Sequence, residues 1–286
     1  MNAPGRSLPS RLVLLGHPLG HTLSPAFQNA ALRTAGIPLT YSALDVPPHR
    51  LGETLEALIA EGAAGNVTVP HKPAVAARCD DVSLLAARAG AVNTWHVEDG
   101  RLVGHNTDVG GFDRAARELL EHDPDGLAIA VVGAGGAAAG VLAAIETWPA
   151  CRARLWNRSA DRAATLAARF APVARAVGSL DECLAGATLV VNATSLGLHD
   201  DDALPVDVDR LPRGAAVLDL VYRPQETAWV RAARARGHRA ADGLSMLIEQ
   251  GALAFERWFG FEPDREAMWA AVGGRRSPVV PSTART

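Results

Sequence analysis

The 286-residue sequence predicts an α/β protein built as two lobes. Length is the first indication, because domains typically hold about 100–200 residues and two such domains fit this chain. The second is a repeated alternation of apolar runs with helical patterns, which is typical of a parallel sheet covered by helices. The third is a glycine-rich turn at residues 133–136, placed directly between an apolar strand and a small-residue helix.

Composition excludes several other classes of protein. Apolar residues make up 48% of the chain and charged residues 21%, which is ordinary globular usage and excludes a disordered or low-complexity protein. The formal net charge of −3 provides no global attraction for nucleic acid or for an anionic membrane. We therefore expect neither as a partner.

The first third of the chain is predicted to alternate strands with helices. Ser24 and Pro25 suit the N-cap and the first position of a helix. Glu98-Asp99-Gly100 between two apolar segments indicates a hairpin turn. The predicted elements are strands at 12–15, 41–46, 65–69, 91–97 and 101–104, and helices starting at 24 and spanning 48–61 and 81–89.

The middle of the chain has the βαβ rhythm of a doubly wound sheet. The apolar stretch Leu127–Ile145 is long enough to be a membrane span, but its glycines favour a strand, a tight turn and a helix. A helical segment and then a disordered tail at 274–286 are expected to follow. The predicted elements are strands at 127–132, 153–156, 188–192, 215–221 and 239–241, and helices at 136–146, 160–170, 226–236, 244–259 and from 264 to about 272.

Lys72 is the single lysine among 28 basic residues. A lysine can lose its proton in a desolvated site, whereas an arginine cannot. Either this position needs an exchangeable proton, or Lys72 survived a general drift towards arginine. Both interpretations stay open on composition alone.

The three cysteines are widely spaced and predict no disulfide framework. A reducing cytoplasm is therefore the expected location. No cluster of histidine, cysteine and aspartate has the spacing of metal ligands, so no metal site is predicted.

The glycine turn has the pattern of a dinucleotide phosphate site. Gly133 permits the tight turn, Gly135 lets the backbone approach a pyrophosphate, and Ala138 stands where close helix–strand packing is the requirement. Free N–H groups at the start of the helix would bind phosphate oxygens. Flavin and methyl-donor enzymes also carry glycine turns, so the strand–turn–helix context supports the prediction more than the glycines do.

The end of the next strand favours NADP over NAD. NAD sites usually place an acidic residue there to bind the ribose 2′-hydroxyl, and the segment 156–159 contains none. Arg158 can pair with a 2′-phosphate, Ser159 can donate a hydroxyl, and Arg162 follows one turn later. The competing interpretation, a helix N-cap at Ser159 after a solvated arginine, does not explain the missing acid.

Short polar motifs recur in one order along residues 11–273. They are the hydroxyl loop 16–25, Asn66-Val67-Thr68-Val69-Pro70-His71-Lys72, Gly90-Ala91-Val92-Asn93-Thr94, Asn106-Thr107-Asp108, the glycine turn, Asn157-Arg158-Ser159, Asn192-Ala193-Thr194-Ser195, Asp219-Leu220-Val221-Tyr222 and Met246-Leu247-Ile248-Glu249-Gln250. Together these motifs resemble the shikimate dehydrogenase family. The number of motifs makes the resemblance far more specific than any one of them.

The resemblance implies an NADP-dependent oxidoreductase that interconverts 3-dehydroshikimate and shikimate in aromatic amino acid biosynthesis. It implies Lys72 and Asp108 as the catalytic pair. The implied substrate-binding residues are Thr22, Ser24, Asn66, Thr68, Asn93, Tyr222 and Gln250. The implied cofactor-binding residues are Gly133, Ala134, Gly135, Gly136, Ala137, Asn157, Arg158, Ser159, Arg162, Thr194, Leu220, Gly243 and Met246.

The resemblance also implies a domain plan. A substrate domain at 1–108 would be completed by C-terminal helices at 243–273, and a Rossmann-type NADP domain would occupy 109–242, with a cleft between the two lobes. The partner is a small-molecule substrate, and a homodimer is left open.

Several positions depart from the family pattern. Thr22 stands where serine is more common, and its extra methyl narrows the predicted carboxylate site, which leaves quinate or aminoshikimate open as the substrate. Arg223 follows Tyr222 where asparagine is common. A non-catalytic NADP-sensing module is the alternative from another class of protein, and the retained Lys72–Asp108 pair argues against it.

Overall fold

The computed structural model describes residues 8–20 and 22–274, so the predicted tail at 274–286, apart from Gly274, lies outside the described residues. The strands are β1 (Leu12–Gly16), β2 (Tyr41–Asp45), β3 (Ala64–Val67), β4 (Asp81–Val82), β5 (Thr94–Glu98), β6 (Arg101–His105), β7 (Ala128–Val132), β8 (Arg152–Trp156), β9 (Ala174–Ala176), β10 (Leu189–Asn192), β11 (Ala216–Asp219) and β12 (Ala240–Ala241). The helices are α1 (Ser24–Thr34), α2 (Leu51–Ala60), α3 (Lys72–Ala76), α4 (Leu84–Ala89), α5 (Asp108–Leu120), α6 (Gly136–Ile145), α7 (Ala160–Arg169), α8 (Leu180–Leu184), α9 (Ala228–Ala235), α10 (Leu244–Phe259) and α11 (Arg265–Ala271).

The chain divides into two compact units, each with its own sheet. The first unit takes the chain up to Gly111 and again from Ile248, and the second runs from Phe112 to Leu247. Both divisions fall inside helices, α5 and α10. The predicted α/β class is confirmed. The assignment of a substrate role to 1–108 with 243–273 and of an NADP role to 109–242 stays a prediction.

The first unit has a mixed six-stranded sheet in the order β2-β1-β3-β5-β6-β4. β1 pairs in parallel with β2 and β3, whereas β5 runs antiparallel to both β3 and β6. The predicted hairpin is confirmed, with Glu98 opposite Arg101. Its two turn residues, Asp99 and Gly100, have φ of 50° and 74°, as a type I′ turn between twisted strands requires.

The C-terminal helices complete this first unit, as predicted. Gln28 in α1 donates through Nε2 to the Gly251 carbonyl in α10 at 2.9 Å. Trp258 in α10 donates through Nε1 to the Trp95 carbonyl in β5 at 3.2 Å. Both bonds are buried, where an unpaired polar group would be costly. The two ends of the unit are therefore joined by specific contacts as well as by apolar packing.

The second unit has an all-parallel sheet in the order β12-β11-β10-β7-β8-β9. The chain starts at β7, builds outward through β8 and β9, and then returns to the other side of β7 with β10. This reversal creates a switch point between β7 and β10, where doubly wound proteins bind ligands beyond the carboxyl ends of the strands. Ile129, Val131, Val190 and Leu218 are fully buried, which confirms a sheet covered on both faces.

Two local predictions are wrong. Ser24 is not an N-cap: Leu23 holds that position, Ser24 begins α1, and no side chain caps the helix. The helix predicted at 81–89 begins only at Leu84, because Asp81 and Val82 pair with β6 as strand β4.

Besides β4, four strands and α-helices of the described residues were not predicted from the sequence: α3, α5, α8 and β9. α3 and α8 have five residues each, which is too short for an apolar period to be visible. The stretch Leu127–Ile145 is divided between β7 and α6, and none of the helices in the described residues is long and apolar enough to cross a bilayer.

Candidate active site

Lys72 and Asp108 form an ion pair in the first unit. Lys72 is the first residue of α3 and Asp108 the first residue of α5, and Lys72 Nζ lies 2.6 Å from Asp108 Oδ2. The side chains are 28% and 20% exposed, so the pair is partly desolvated and still reachable from solvent. A short charge-assisted bond in such a place can hold a proton for transfer.

Asn93 holds the second oxygen of that carboxylate. Its Nδ2 donates to Asp108 Oδ1 at 2.8 Å and also lies 3.0 Å from Thr107 Oγ1 and 3.3 Å from Gln250 Oε1. Its Oδ1 accepts from the Thr107 backbone N–H at 2.7 Å, which fixes the amide orientation because that backbone group can only donate. Four predicted site residues, Lys72, Asp108, Asn93 and Gln250, are therefore brought together.

The Asn106-Thr107-Asp108 motif has a local structural reason. Asn106 Oδ1 accepts from the Asp108 backbone N–H at 3.1 Å, and its Nδ2 donates to the Ala91 carbonyl at 2.9 Å. Asparagine commonly makes this turn just before a helix. The turn aims Asp108 into the site at the start of α5. An asparagine two residues before an aspartate is therefore the sequence signal that could have located the start of α5, which was not predicted.

Asn66 is oriented by a residue that the sequence reasoning did not single out. The Tyr41 hydroxyl donates to Asn66 Oδ1 at 2.8 Å, and Asn66 Nδ2 donates to the Asn93 carbonyl at 3.2 Å. Burial raises the pKa of Tyr41 well above its usual value, so this phenol stays protonated and acts as a donor. Asn66 therefore joins the group around Asn93.

The predicted hydroxyl residues lie in two other parts of the first unit. Thr22 Oγ1 accepts from the Ser24 backbone N–H at 3.3 Å where the chain enters α1, and Ser24 is buried while Thr22 is half-buried. Thr68 follows β3 and is half-buried. A Cβ placed on Gly16, the last residue of β1, would lie 2.5 Å from Thr68 Cγ2. A glycine at this position therefore leaves room for the Thr68 side chain.

The glycine turn of the second unit fits a dinucleotide phosphate. Gly133 has a φ of +113°, and a Cβ there would lie 2.7 Å from the Ala193 carbonyl oxygen, so another residue would be strained and would clash. Gly135 is the N-cap of α6 in extended backbone. Residues 135–137 are exposed and Ala138 is fully buried. The turn is therefore open at residues 135–137, where the helix begins, while Ala138 packs closely.

The residues after β8 fit a 2′-phosphate. Arg158, Ser159 and Arg162 are exposed, and Asn157 Nδ2 donates to the Ser159 carbonyl at 3.0 Å. Ser159 occupies the N-cap position of α7, yet its side chain accepts no capping bond. The competing N-cap interpretation therefore accounts for the position of Ser159 but leaves its hydroxyl unused by the helix.

The remaining predicted residues lie in the second unit, beyond β10, β11 and β12. Leu220 and Tyr222 are half-buried, and burial raises the pKa of Tyr222. A Cβ on Gly243 would lie 2.3 Å from the Leu220 carbonyl oxygen, so these two segments touch through backbone. Thr194 follows β10, and Met246 lies in the first turn of α10. Within residues 8–20 and 22–274, no group of three or more metal-binding side chains occurs.

Comparisons with known proteins decide the family. The shikimate dehydrogenase substrate binding domain matches residues 14–95, and the shikimate 5′-dehydrogenase C-terminal domain matches residues 243–272. The NADP(+) shikimate dehydrogenase of Geobacillus kaustophilus is 41% identical over 89% of this chain and 94% of that relative. The chain belongs to the shikimate dehydrogenase family.

Two solved structures show how this family varies. Shikimate 5-dehydrogenase from Thermus thermophilus, in complex with NADP(H) and shikimate, is 40% identical with a TM-score of 0.83, covering 92% of this chain and 98% of that one. Quinate dehydrogenase from Corynebacterium glutamicum, in complex with NAD, is 32% identical with a TM-score of 0.84, covering 91% and 97%. Family members of one fold therefore differ in both substrate and cofactor.

Proposed function

We propose that this family member is an NADP-dependent shikimate dehydrogenase, an oxidoreductase that interconverts 3-dehydroshikimate and shikimate in the shikimate pathway of aromatic amino acid biosynthesis. The observation that carries the proposal is the Lys72–Asp108 pair, 2.6 Å apart and held by Asn93. Lys72 is the single lysine among 28 basic residues, and it lies beside the carboxylate of Asp108. Both residues also stand at the positions that the family's motifs give to the catalytic pair.

The roles follow from the chemistry of ketone reduction. NADPH supplies the hydride when it is bound. Negative charge develops on the ketone oxygen, and the Lys72 ammonium stabilises it by donating a hydrogen bond. The Lys72–Asp108 pair exchanges the proton with that oxygen, and such acid–base help is typically worth about 10²–10⁴-fold in rate.

Substrate recognition falls to the polar residues of the first unit, together with Tyr222. Thr22 and Ser24 offer hydroxyls for the substrate carboxylate. Asn66 and Gln250, with Asn93 between them, offer amides for ring hydroxyls, and Thr68 offers a further hydroxyl.

NADP binding is proposed for the second unit. The residues that would hold the cofactor's pyrophosphate are the backbone of 133–137, of which 135–137 are exposed. At the 2′-phosphate they are half-buried Asn157 with exposed Arg158, Ser159 and Arg162. At the nicotinamide end they are Thr194, Leu220, Gly243 and Met246. The left-handed backbone conformation of Gly133 and the exposure of residues 135–137 support this fit.

A steady-state assay at the NADPH absorbance band tests the proposal. We expect oxidation of shikimate with NADP⁺, and a higher kcat/KM than for quinate with NAD⁺. Thr22 makes quinate or aminoshikimate dehydrogenase the second candidate, and a tenfold preference for quinate with NAD⁺ would establish the quinate alternative. Tight NADPH binding without turnover of any of these acids would indicate the sensing module instead.

A cytoplasmic location is also proposed, supported by Cys79, Cys151 and Cys183, which are all free thiols. A homodimer is the proposed assembly, and light scattering in solution would test it by giving the mass of two chains.

A further inference from the structure

Asp219 ends strand β11 and is fully buried. Its Oδ1 accepts from Asn192 Nδ2 at 2.7 Å and from the Val221 backbone N–H at 3.1 Å. Its Oδ2 accepts from Thr227 Oγ1 at 2.7 Å. Three donors, from the end of β10, from the segment after β11 and from the N-cap of α9, therefore converge on one carboxylate.

This carboxylate is expensive to bury. Desolvation, helped by the nearby carboxylate of Asp242, raises the pKa of Asp219 to about 6, although the three hydrogen bonds act to lower it. A neutral side chain of similar shape would fill this place with less loss of solvation. Stability of the fold therefore does not explain why a charged residue occupies this buried position.

The charge fixes the direction of the hydrogen bonds in the neighbouring loop. A carboxylate only accepts, so the Asn192 amide must point its Nδ2 towards Asp219, and that Nδ2 also donates to the Leu196 carbonyl at 3.1 Å. Asn192 Oδ1 then accepts from Thr194 N at 3.0 Å and from Thr194 Oγ1 at 2.7 Å. Thr194 Oγ1 in turn accepts from Leu196 N at 3.1 Å.

The segments held in this way surround the predicted cofactor residues. The loop after Asn192 rests on the glycine turn, since a Cβ on Gly133 would lie 2.7 Å from the Ala193 carbonyl oxygen. The Val221 carbonyl accepts from the Gly243 backbone N–H at 3.0 Å. Asp219 therefore lies where three cofactor segments meet at one edge of the sheet.

We propose that Asp219 is a positioning residue for the dinucleotide, whose carboxylate sets the conformation of residues 192–196 and 220–222 before the cofactor binds. This inference rests on the NADP dependence proposed above. It also limits Thr194: its hydroxyl hydrogen is donated to Asn192, so Thr194 meets the cofactor as an acceptor or through its methyl group.

Fluorescence titration with NADPH at pH 7.5 tests the inference in the full-length protein. We expect Asp219→Asn and Asn192→Ala each to raise the Kd about tenfold, because the loops are no longer ordered before binding. The Kd of the double variant should not exceed the higher of the two single-variant Kd values, because both substitutions act through one chain of hydrogen bonds. Ser179→Ala, which removes the α8 cap bond to the Glu182 N–H outside this network, is the matched control and should leave the Kd within about twofold.

Unchanged NADPH affinity in both single variants, or losses that add fully in the double variant, would overturn the inference. If Asp219→Asn does not fold, as shown by circular dichroism, Thr227→Val and Thr227→Ser take its place. Serine keeps the hydroxyl that binds Oδ2 and should preserve the Kd, whereas valine should raise it; equal affinity in the two would also overturn the inference. The titration needs no shikimate turnover, so a wild-type protein that binds NADPH without oxidising shikimate contradicts the proposed function alone.

Discussion

The Tyr41 hydroxyl donates a hydrogen bond to Asn66 Oδ1 at 2.8 Å. Because the tyrosine is buried, it fixes the orientation of this amide from inside the protein. Asn66 Nδ2 donates one hydrogen to the Asn93 carbonyl and has a second hydrogen to offer as a donor. A core residue in β2 thus determines the polarity with which a predicted substrate residue meets a ring hydroxyl.

Tyr41→Phe should weaken substrate binding. The change leaves a buried acceptor without its donor, which lowers the unfolding free energy by about 1–3 kcal/mol. Because the Asn66 amide then loses the bond that orients it, we also expect a rise of roughly tenfold in the KM for shikimate. The Kd for NADPH should not change, and it serves as the internal control. Unchanged KM for shikimate would show that Tyr41 does not position Asn66.

Lys72→Ala should remove most of the turnover. Loss of the ammonium leaves the developing oxyanion without its donor, and we expect kcat to fall by about 10²–10⁴-fold with NADPH affinity nearly unchanged. Arg78→Ala, which deletes an exposed cation just beyond α3, is the control for a general effect of charge. Normal turnover in Lys72→Ala would exclude Lys72 from the chemistry.

Arg158→Ala should change the choice between cofactors. The exposed guanidinium is proposed to pair with the 2′-phosphate, so we expect the Kd for NADPH to rise roughly tenfold and the Kd for NADH to stay the same. Arg152 begins the same strand β8, at its opposite end, and Arg152→Ala provides the matched comparison. Equal losses for both cofactors would place Arg158 outside the phosphate site.

The glycines at 133 and 140 should respond in opposite ways to alanine. A Cβ at Gly133 clashes with the Ala193 carbonyl in left-handed backbone, whereas a Cβ at Gly140 in the middle of α6 meets nothing within 4 Å. We expect Gly133→Ala to lose about 1–3 kcal/mol of unfolding free energy and to bind NADPH poorly. Gly140→Ala should gain about 0.5–1 kcal/mol. Urea unfolding measures both, and a Gly133→Ala protein as stable as wild type would contradict the clash.

Asp219 should make the protein less stable as pH rises. Its folded pKa is about 6 and its usual value is 3.8, so the folded state binds more protons than the unfolded state between these values. The contribution to stability is present below pH 3.8 and is lost as pH rises through about 6. By linkage the full loss is about 3 kcal/mol.

Asp219→Asn lacks this titration and isolates its effect. Relative to wild type, its unfolding free energy should rise by about 2 kcal/mol between pH 4 and pH 6, because all other groups titrate alike in both proteins. Urea unfolding at four pH values in this range and above it measures the difference. Parallel pH dependences would show that Asp219 keeps an ordinary pKa.

The sequence alone predicted those parts of the molecule that local chemistry determines. The glycine turn follows from the backbone geometry at Gly133, and the absence of an acid after β8 is visible in the residues themselves. The Lys72–Asp108 pair was predicted through the family resemblance, since 36 residues separate the two in the chain and no local pattern connects them.

Features that depend on tertiary contact were not predicted. Tyr41 looks like an ordinary core aromatic in an apolar strand, and its role depends on β3 bringing Asn66 within reach. β4 consists of two residues whose pairing with β6 overrides the helical pattern of 81–89. Asp219 was visible as part of a motif, but its burial and its three donors arise only when β10, β11 and α9 come together.

The arrangement of the chain has a consequence for its synthesis. The first unit is completed only by α10 and α11, which follow every strand of the second sheet in the chain. The ribosome therefore finishes the second sheet before Gln250 can contact Asn93 and before the Trp258 indole can bond to β5. A nascent polypeptide halted after Leu247 would carry the glycine-turn unit and both members of the ion pair. It would lack all but the first turn of α10 and the whole of α11, and with them the contacts of Gln250 with Asn93 and of Trp258 with β5.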